Sequence, residues 1–204
     1  PGKGSTFTLW LPTAHGGSLE HAPLEQIALS GHDPRVQGLA DAGEVLLRES
    51  GRILQGFVSR LRVELELPGV NRLSFAQLAD HVATLLADLA AALVVLEETS
   101  GQPSSIIADG ADIQRMVADR HGGQRARLGW STSNLVHEYR ILSEEVASAL
   151  RHHLTSRDGA LDDALGVLTR LLAQAERTSR RAHDRTREAM FGGAPKRKAK
   201  AADG

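Results

Sequence analysis

The residues best able to do chemistry in this chain lie in one short stretch beyond its middle. His121 and Arg125 are four positions apart, so they share one face of a helix. Gly129 breaks that helix, and Glu138 follows about two helical turns later. Antiparallel helices joined by a short loop place positions equally far from the turn opposite each other. We therefore predict a charge pair between Arg125 and Glu138 that fixes the angle between two helices.

A second candidate is His137, which Glu138 follows directly and Arg140 follows three positions later. A phosphoacceptor histidine is commonly followed by an acidic and then a basic residue, because the carboxylate orients the imidazole for attack on phosphate. The proline that usually follows in such helices is missing here. Phosphotransfer through His137 is therefore an alternative hypothesis.

The elements that position these side chains are predicted to be helices. Apolar residues recur at spacings of three and four, and Ser74 with Gln77 has the spacing of a capping box. Gly122 and Gly123 weaken the third helix and predict a bend or a close helix–helix contact there. The predicted helices cover about 39–67, 74–99, 109 or 112 to 128, 131 or 133 to 154, and 160–190.

Composition favours the same all-α class. Of 204 residues, 41% are hydrophobic but only 3% are aromatic, so the core is built mainly of Leu, Val, Ala and Ile. The chain has no cysteine, which excludes disulfides, thiol catalysis and cysteine metal sites. No apolar run is long enough to cross a membrane. We expect a cytoplasmic protein with no metal site and no membrane contact.

The basic end of the chain does not predict a nucleic-acid partner. From Glu176 to Gly204 there are nine Lys or Arg against four Asp or Glu, and Phe191 is the only aromatic residue. No DNA-binding helix pair or aromatic platform accompanies this charge. We expect a solvated helix end followed by a disordered basic tail over 191–204.

The first twelve residues predict a turn and one short strand. Gly2 and Gly4 suit a tight turn, and 6–11 alternates polar and apolar residues. This segment resembles the closing turn and last strand of the ATP-binding domain of bacterial sensor histidine kinases. The resemblance implies that Gly2, Gly4 and Ser5 are the remnant of a nucleotide site.

The central helices resemble the N-terminal domain of the RsbR-type co-antagonists of the bacterial stressosome, over about 44–153. That resemblance implies a globin-like helical domain that binds no haem and serves as a sensory or regulatory input, usually as a dimer. The matching positions are His121, Arg125, Gly129, Leu135, Glu138, Tyr139 and Leu142.

The sequence thus predicts the C-terminal part of a bacterial sensor histidine kinase, with a globin-like domain of about five helices. The predicted parts are the strand remnant over 1–12, a linker over 13–38, the helical domain over 39–190 and the tail. We expect this segment to be non-catalytic and to bind no cofactor, ATP belonging to the parent kinase alone. Its partners are a second copy and the other kinase domains, which it regulates through helix packing. A haem-binding sensor with His121 or His81 as iron ligand is a further alternative.

Overall fold

The all-α class predicted from the sequence is confirmed by the computed structural model. The structure describes residues 38–65, 70–79, 81–99, 105–154 and 159–191, without the side chains of 105–111. These ranges hold six α-helices, a 3-10 turn and no strand. The helices are α1 (Leu39–Glu64), α2 (Phe75–Ala79), α3 (Val82–Glu98), α4 (Ser105–Arg127), α5 (Thr132–His153) and α6 (Ala160–Phe191).

Several predicted features lie outside the described residues. They are the strand over 6–11 with Gly2, Gly4 and Ser5, nearly all of the linker, and the tail beyond Phe191, which itself closes α6. Among the described helices, none combines the length and the apolar character that crossing a bilayer requires.

The single helix predicted over 74–99 is wrong, because the chain divides into α2 and α3. Its start is as predicted: the Ser74 amide donates to Gln77 Oε1 at 2.8 Å, and the Gln77 amide donates to Ser74 Oγ at 3.2 Å. The division has a cause that is distant in sequence. The guanidinium of Arg125 takes the carbonyls of Gln77 and Leu78, which a continuous helix would use for its own ladder.

The starts of α4 and α5 can be compared with the starts predicted from the sequence. Ser131 caps α5, since its Oγ accepts from the Asn134 amide at 3.2 Å. Asp109 and Asp112, the two predicted starts of the third helix, instead lie inside α4, which begins at Ser105. The helical backbone therefore extends about one to two turns further towards the N-terminus than the apolar pattern indicated.

The helices pack around one apolar core. Contacts run in opposite order along α1 and α3 and along α1 and α5, so α1 is antiparallel to both. The helix α5 is likewise antiparallel to α6. The core is dominated by leucine, as the low aromatic content predicts. Its fully buried members include Leu46, Ile53, Phe57, Leu61, Leu86, Leu89, Leu93, Leu135, Ile141 and Leu150.

The helices α4 and α6 approach most closely at Gly122. A Cβ built on Gly122 would lie 1.9 Å from the backbone oxygen of Ser179. Only glycine allows two helix backbones to come so near, because any other residue carries that carbon. The close helix–helix contact predicted from the glycine pair is therefore present.

The later half of α6 is more buried than its polar sequence predicted. Ser179, Ala182 and His183 are buried, although the sequence from Glu176 onward predicted a solvated helix end. The buried positions still follow the spacing of three and four, but with small or polar side chains. The close contact with α4 leaves no room for larger ones there.

Candidate functional site

A buried ion pair joins α4 to α5 at the position that the sequence predicted. Arg125 Nη2 donates to Glu138 Oε1 at 2.6 Å, and Arg125 Nε lies 3.0 and 3.1 Å from the two carboxylate oxygens. Arg125 is 0% exposed and Glu138 is 2% exposed. This two-pronged contact uses the planar fork of arginine, which a lysine does not offer.

The rest of the Arg125 guanidinium is also satisfied. Its Nη1 donates to the Gln77 carbonyl at 3.2 Å, and its Nη2 donates to the Leu78 carbonyl at 2.8 Å. Its central carbon lies 4.5 Å from the ring centroid of Trp130, in a cation–π contact. One side chain therefore ties α2, α4 and α5 together and also holds the loop after α4.

His121 completes the ion-pair cluster, which we define as His121, Arg125 and Glu138. His121 Nε2 lies 3.0 Å from Glu138 Oε2, and His121 is itself buried. Burial alone would raise the pKa of the Glu138 carboxyl, but the charges and hydrogen bonds of Arg125 and His121 outweigh it and lower that pKa. Glu138 is therefore ionised, and the hydrogen between these atoms belongs to His121 Nε2.

A second set of hydrogen bonds, beside the ion-pair cluster, links α4, α5 and α6. Ser179 Oγ donates its one hydrogen to the Ala118 carbonyl at 2.7 Å, so the Tyr139 hydroxyl donates to Ser179 Oγ, also at 2.7 Å. The Tyr139 ring meets the His121 ring edge-to-face at 5.9 Å. Burial raises the pKa of the Tyr139 hydroxyl, which keeps it a neutral donor.

The loop between α4 and α5 is fixed by its own backbone. Gly129 has φ +80°, a left-handed conformation that glycine adopts at little cost. The Trp130 amide donates to the Arg125 carbonyl at 3.0 Å, and the Trp130 carbonyl accepts from His183 Nε2 at 2.8 Å. Trp130 is 2% exposed and belongs to the core.

A small cavity adjoins the ion-pair cluster between α1, α3, α4 and α5. Its volume is about 20 Å³, room for about one water, and it is partly open to solvent. Its polar side is formed by His81, His121, Glu138 and Tyr139. Its walls are apolar and include Phe57, Val82, Leu85 and Leu142.

The comparisons with known proteins add no relative. No family model matches this chain, and neither a curated protein nor a solved structure matches it. The resemblances to RsbR-type domains and to a kinase strand therefore stay predictions.

His137 lies apart from the ion-pair cluster, on the α1–α5 surface. Its Nε2 lies 3.0 Å from Glu64 Oε2 and 2.6 Å from Arg140 Nη2, so it belongs to a partly exposed charge network. The Arg60 guanidinium, with His137 and Arg140, lowers the pKa of the Glu64 carboxyl to about 2. Glu138, the neighbour expected to orient a phosphoacceptor His137, instead pairs with Arg125 inside the core.

The remaining predicted positions have structural surroundings. Leu135 is buried in the core, Leu142 lines the cavity, and Gly129 forms the turn. Sequence reasoning missed His183 and Ser179. The signal that could have found them is the spacing of three and four that links Ala175, Ser179, Ala182 and His183 to the leucines before them. The described part of the chain holds no group of three metal-ligating side chains.

Proposed function

We propose that this chain is a non-catalytic sensory or regulatory domain whose signal acts through helix packing. The observation that carries the proposal is the buried ion-pair cluster beside a cavity. Three helices meet at one guanidinium, so anything that weakens its pairing with Glu138 changes the contacts of α2, α4 and α5 together. A conformational signal needs such a shared contact, because a ligand shifts packing only by binding two arrangements unequally.

The energetics of buried charge support the same proposal. A buried ion pair loses its hydration, and apolar residues of equal volume often stabilise a fold as well or better. The cluster is therefore better explained by the particular arrangement of helices that it specifies than by added stability. Its hydrogen bonds are well satisfied, which favours that arrangement strongly until one partner is disturbed.

The proposal also concerns the longer protein that carries this domain and the pairing of the domain with a second copy. We propose that the attached catalytic part is a bacterial histidine kinase, which rests on the resemblance of residues 1–12, and that the domain pairs with a second copy. Exposed apolar side chains on α4, Ile113 and Met116, are available for such a contact. Sedimentation at high micromolar concentration should give the mass of a dimer, and a monomer alone would contradict this.

The two alternative functions are less well supported by the geometry. Phosphotransfer would require His137 Nε2 to leave Glu64 and Arg140, and the neighbouring Glu138 carboxylate is committed to Arg125. A haem iron bound by His121 would displace Nε2 from Glu138, and the cavity beside it is far smaller than a porphyrin. Incubation with ATP and the intact kinase would reveal the first activity, and an absorption spectrum the second.

The decisive experiment uses the longer protein that carries the catalytic domain. Glu138→Gln should change its autophosphorylation rate several-fold, whereas the matched surface variant Glu144→Gln should leave the rate unchanged. Circular dichroism should establish first that both variants are folded. Equal rates in wild type and folded Glu138→Gln would overturn the proposed function.

A further inference from the structure

The outer face of α4 carries apolar side chains between charges of opposite sign. Ile113 is 48% exposed and Met116 is 67% exposed. Asp112, Met116 and Arg120 follow one another at intervals of four residues, so they lie along the same face of the helix, and all three are exposed. Methionine is enriched at protein interfaces, because its unbranched side chain adapts to a facing surface. The face thus has an acidic end, an apolar centre and a basic end.

The contacts within the chain leave both charges able to bind a partner. Asp112 pairs with Arg115, but the Asp112 side chain is still 63% exposed. Arg120 is exposed and forms no ion pair with any side chain that the structure describes. The neighbouring Asp119 does not compensate this charge, because it pairs with Arg185 on α6. A partner for this face should therefore supply an acidic group opposite Arg120.

A second copy of the same face, turned around, supplies that group. When two identical helices pack antiparallel about a two-fold axis at Met116, each position meets the one equally far beyond the axis. Asp112 of each copy then lies opposite Arg120 of the other, and the two Met116 side chains meet at the axis. Parallel packing would instead place each charge against its own kind, which is unfavourable.

We propose that the domain dimerises through α4, antiparallel and centred on Met116, with two Asp112–Arg120 ion pairs beside the apolar contact. This interface rests on the dimer of the proposed function. Its symmetry closes the assembly at two copies. The same helix carries His121 and Arg125 of the ion-pair cluster, so the dimer contact and the buried cluster are joined by one rigid element.

Charge reversal tests the two ion pairs. Sedimentation equilibrium of the intact 204-residue chain at low ionic strength should give a dimer. Asp112→Arg and Arg120→Asp should each raise the dissociation constant at least about tenfold, because two pairs change from attractive to repulsive. The double variant restores opposite charges in reversed order and should dimerise as the wild type does. Circular dichroism should show that all three variants are folded.

Two substitutions at Met116 test the apolar centre. Met116→Glu brings two carboxylates together at the axis and should abolish the dimer, whereas Leu47→Glu, at an exposed site on α1, should leave it intact. The chain has no cysteine of its own, so an introduced one reports a single position. Met116→Cys should form a disulfide-linked dimer under mild oxidation, and Leu47→Cys should not.

The possible results separate this interface from the proposed function. A dimer that neither charge reversal weakens, or a double variant as weak as the single ones, would overturn the α4 interface and leave the proposed dimer standing. A wild-type chain that stays monomeric at high micromolar concentration would overturn both. The signalling role of the ion-pair cluster is tested independently by the kinase output of Glu138→Gln.

Discussion

At the scale of single residues, Arg125 is a large cation that is fully buried, and it is tolerated because its guanidinium donates to several acceptors and packs on an aromatic face. Glu138 supplies the opposite charge, two carbonyls of α2 supply further oxygens, and Trp130 covers the guanidinium. Removing one acceptor leaves a buried charge without compensation. Breaking this buried pair should therefore lower the free energy of unfolding far more than breaking an exposed pair does.

The first prediction compares the loss of this buried ion pair with the loss of partly exposed ones. Glu138→Gln should lower the free energy of unfolding by about 3–5 kcal/mol, because it strands the buried Arg125. Glu144→Gln breaks partly exposed pairs with Arg60 and Arg140, and it should cost less than about 1 kcal/mol. Urea unfolding at pH 7 measures both. A double-mutant cycle with Arg125→Met should show coupling, and additive effects would contradict the pairing.

A second residue-scale prediction concerns Asp88, an acidic side chain within apolar α3. Its Oδ2 is buried and has no hydrogen-bond partner among the described residues. Burial raises the pKa of its carboxyl, so the ionised form destabilises the fold at neutral pH. Asp88→Ala should therefore raise the free energy of unfolding at pH 7, helped by the higher helix propensity of alanine.

The gain from Asp88→Ala should shrink at pH 3, where the carboxyl is protonated in both the folded and the unfolded chain. Unfolding curves of the variant and the wild type at the two pH values measure this difference. A gain of the same size at both would show that helix propensity alone is responsible.

At the scale of elements, the fold depends on the close contact of α4 with α6. Gly122 lies so near the Ser179 backbone that no side chain fits between them. Ser179 is also the point where Tyr139 and Ala118 are joined by hydrogen bonds. The distance between these two helices and the hydrogen bonds that reach α5 are therefore determined at the same place.

The third prediction compares two glycines that both lie within helices. Gly122→Ala must push the α4 and α6 backbones apart, and it should lower the free energy of unfolding by at least about 1–3 kcal/mol. Gly51 on α1 has open space around its Cα, so Gly51→Ala should add about 0.5–1 kcal/mol through helix propensity alone. Thermal unfolding of the two variants measures the contrast. A stable Gly122→Ala would mean that the helices are not in contact there.

At the scale of the whole molecule, stability should depend on pH through several paired carboxylates. The pKa values of Glu64, Glu138 and Glu144 are lowered in the folded chain by arginine and histidine partners. A lowered folded pKa gives stability that is complete above the ordinary carboxyl range and is lost as pH falls through the folded value. Protonation of the carboxylates on the α1–α5 surface and of the carboxylate in the core should therefore lower the free energy of unfolding alike.

The fourth prediction follows from these lowered pKa values. The free energy of unfolding should decrease steadily below pH about 5 as these carboxyls protonate. For Glu64 the loss covers the interval from its ordinary 4.5 down to about 2. Glu64→Gln should make the decrease shallower, and chemical denaturation from pH 7 to pH 3 measures it. A variant with an unchanged slope would show that the Glu64 network adds nothing in solution.

Much of this arrangement could be predicted from sequence because it depends on local spacing. Arg125 and Glu138 are similarly distant from Gly129, and Ser74 lies three residues before Gln77, so both contacts follow from helix geometry. The division of α2 from α3 could not be predicted, since the cause is an arginine 47 residues further along the chain. The buried part of α6 was missed for a similar reason: its small side chains are packed only because Gly122 admits them.

The Gly129 turn also bears on the order in which the chain folds. Arg125 and Glu138 are separated by 13 residues, whereas the contact of Gly38 with Ala160 closes a far longer loop. Short loops lose less chain entropy on closing, so the contact between Arg125 and Glu138 should form before the starts of α1 and α6 meet. Gly129→Ala, which strains a left-handed residue, should then slow refolding while leaving the unfolding rate nearly unchanged. Stopped-flow chevron plots of the variant and the wild type would measure that order.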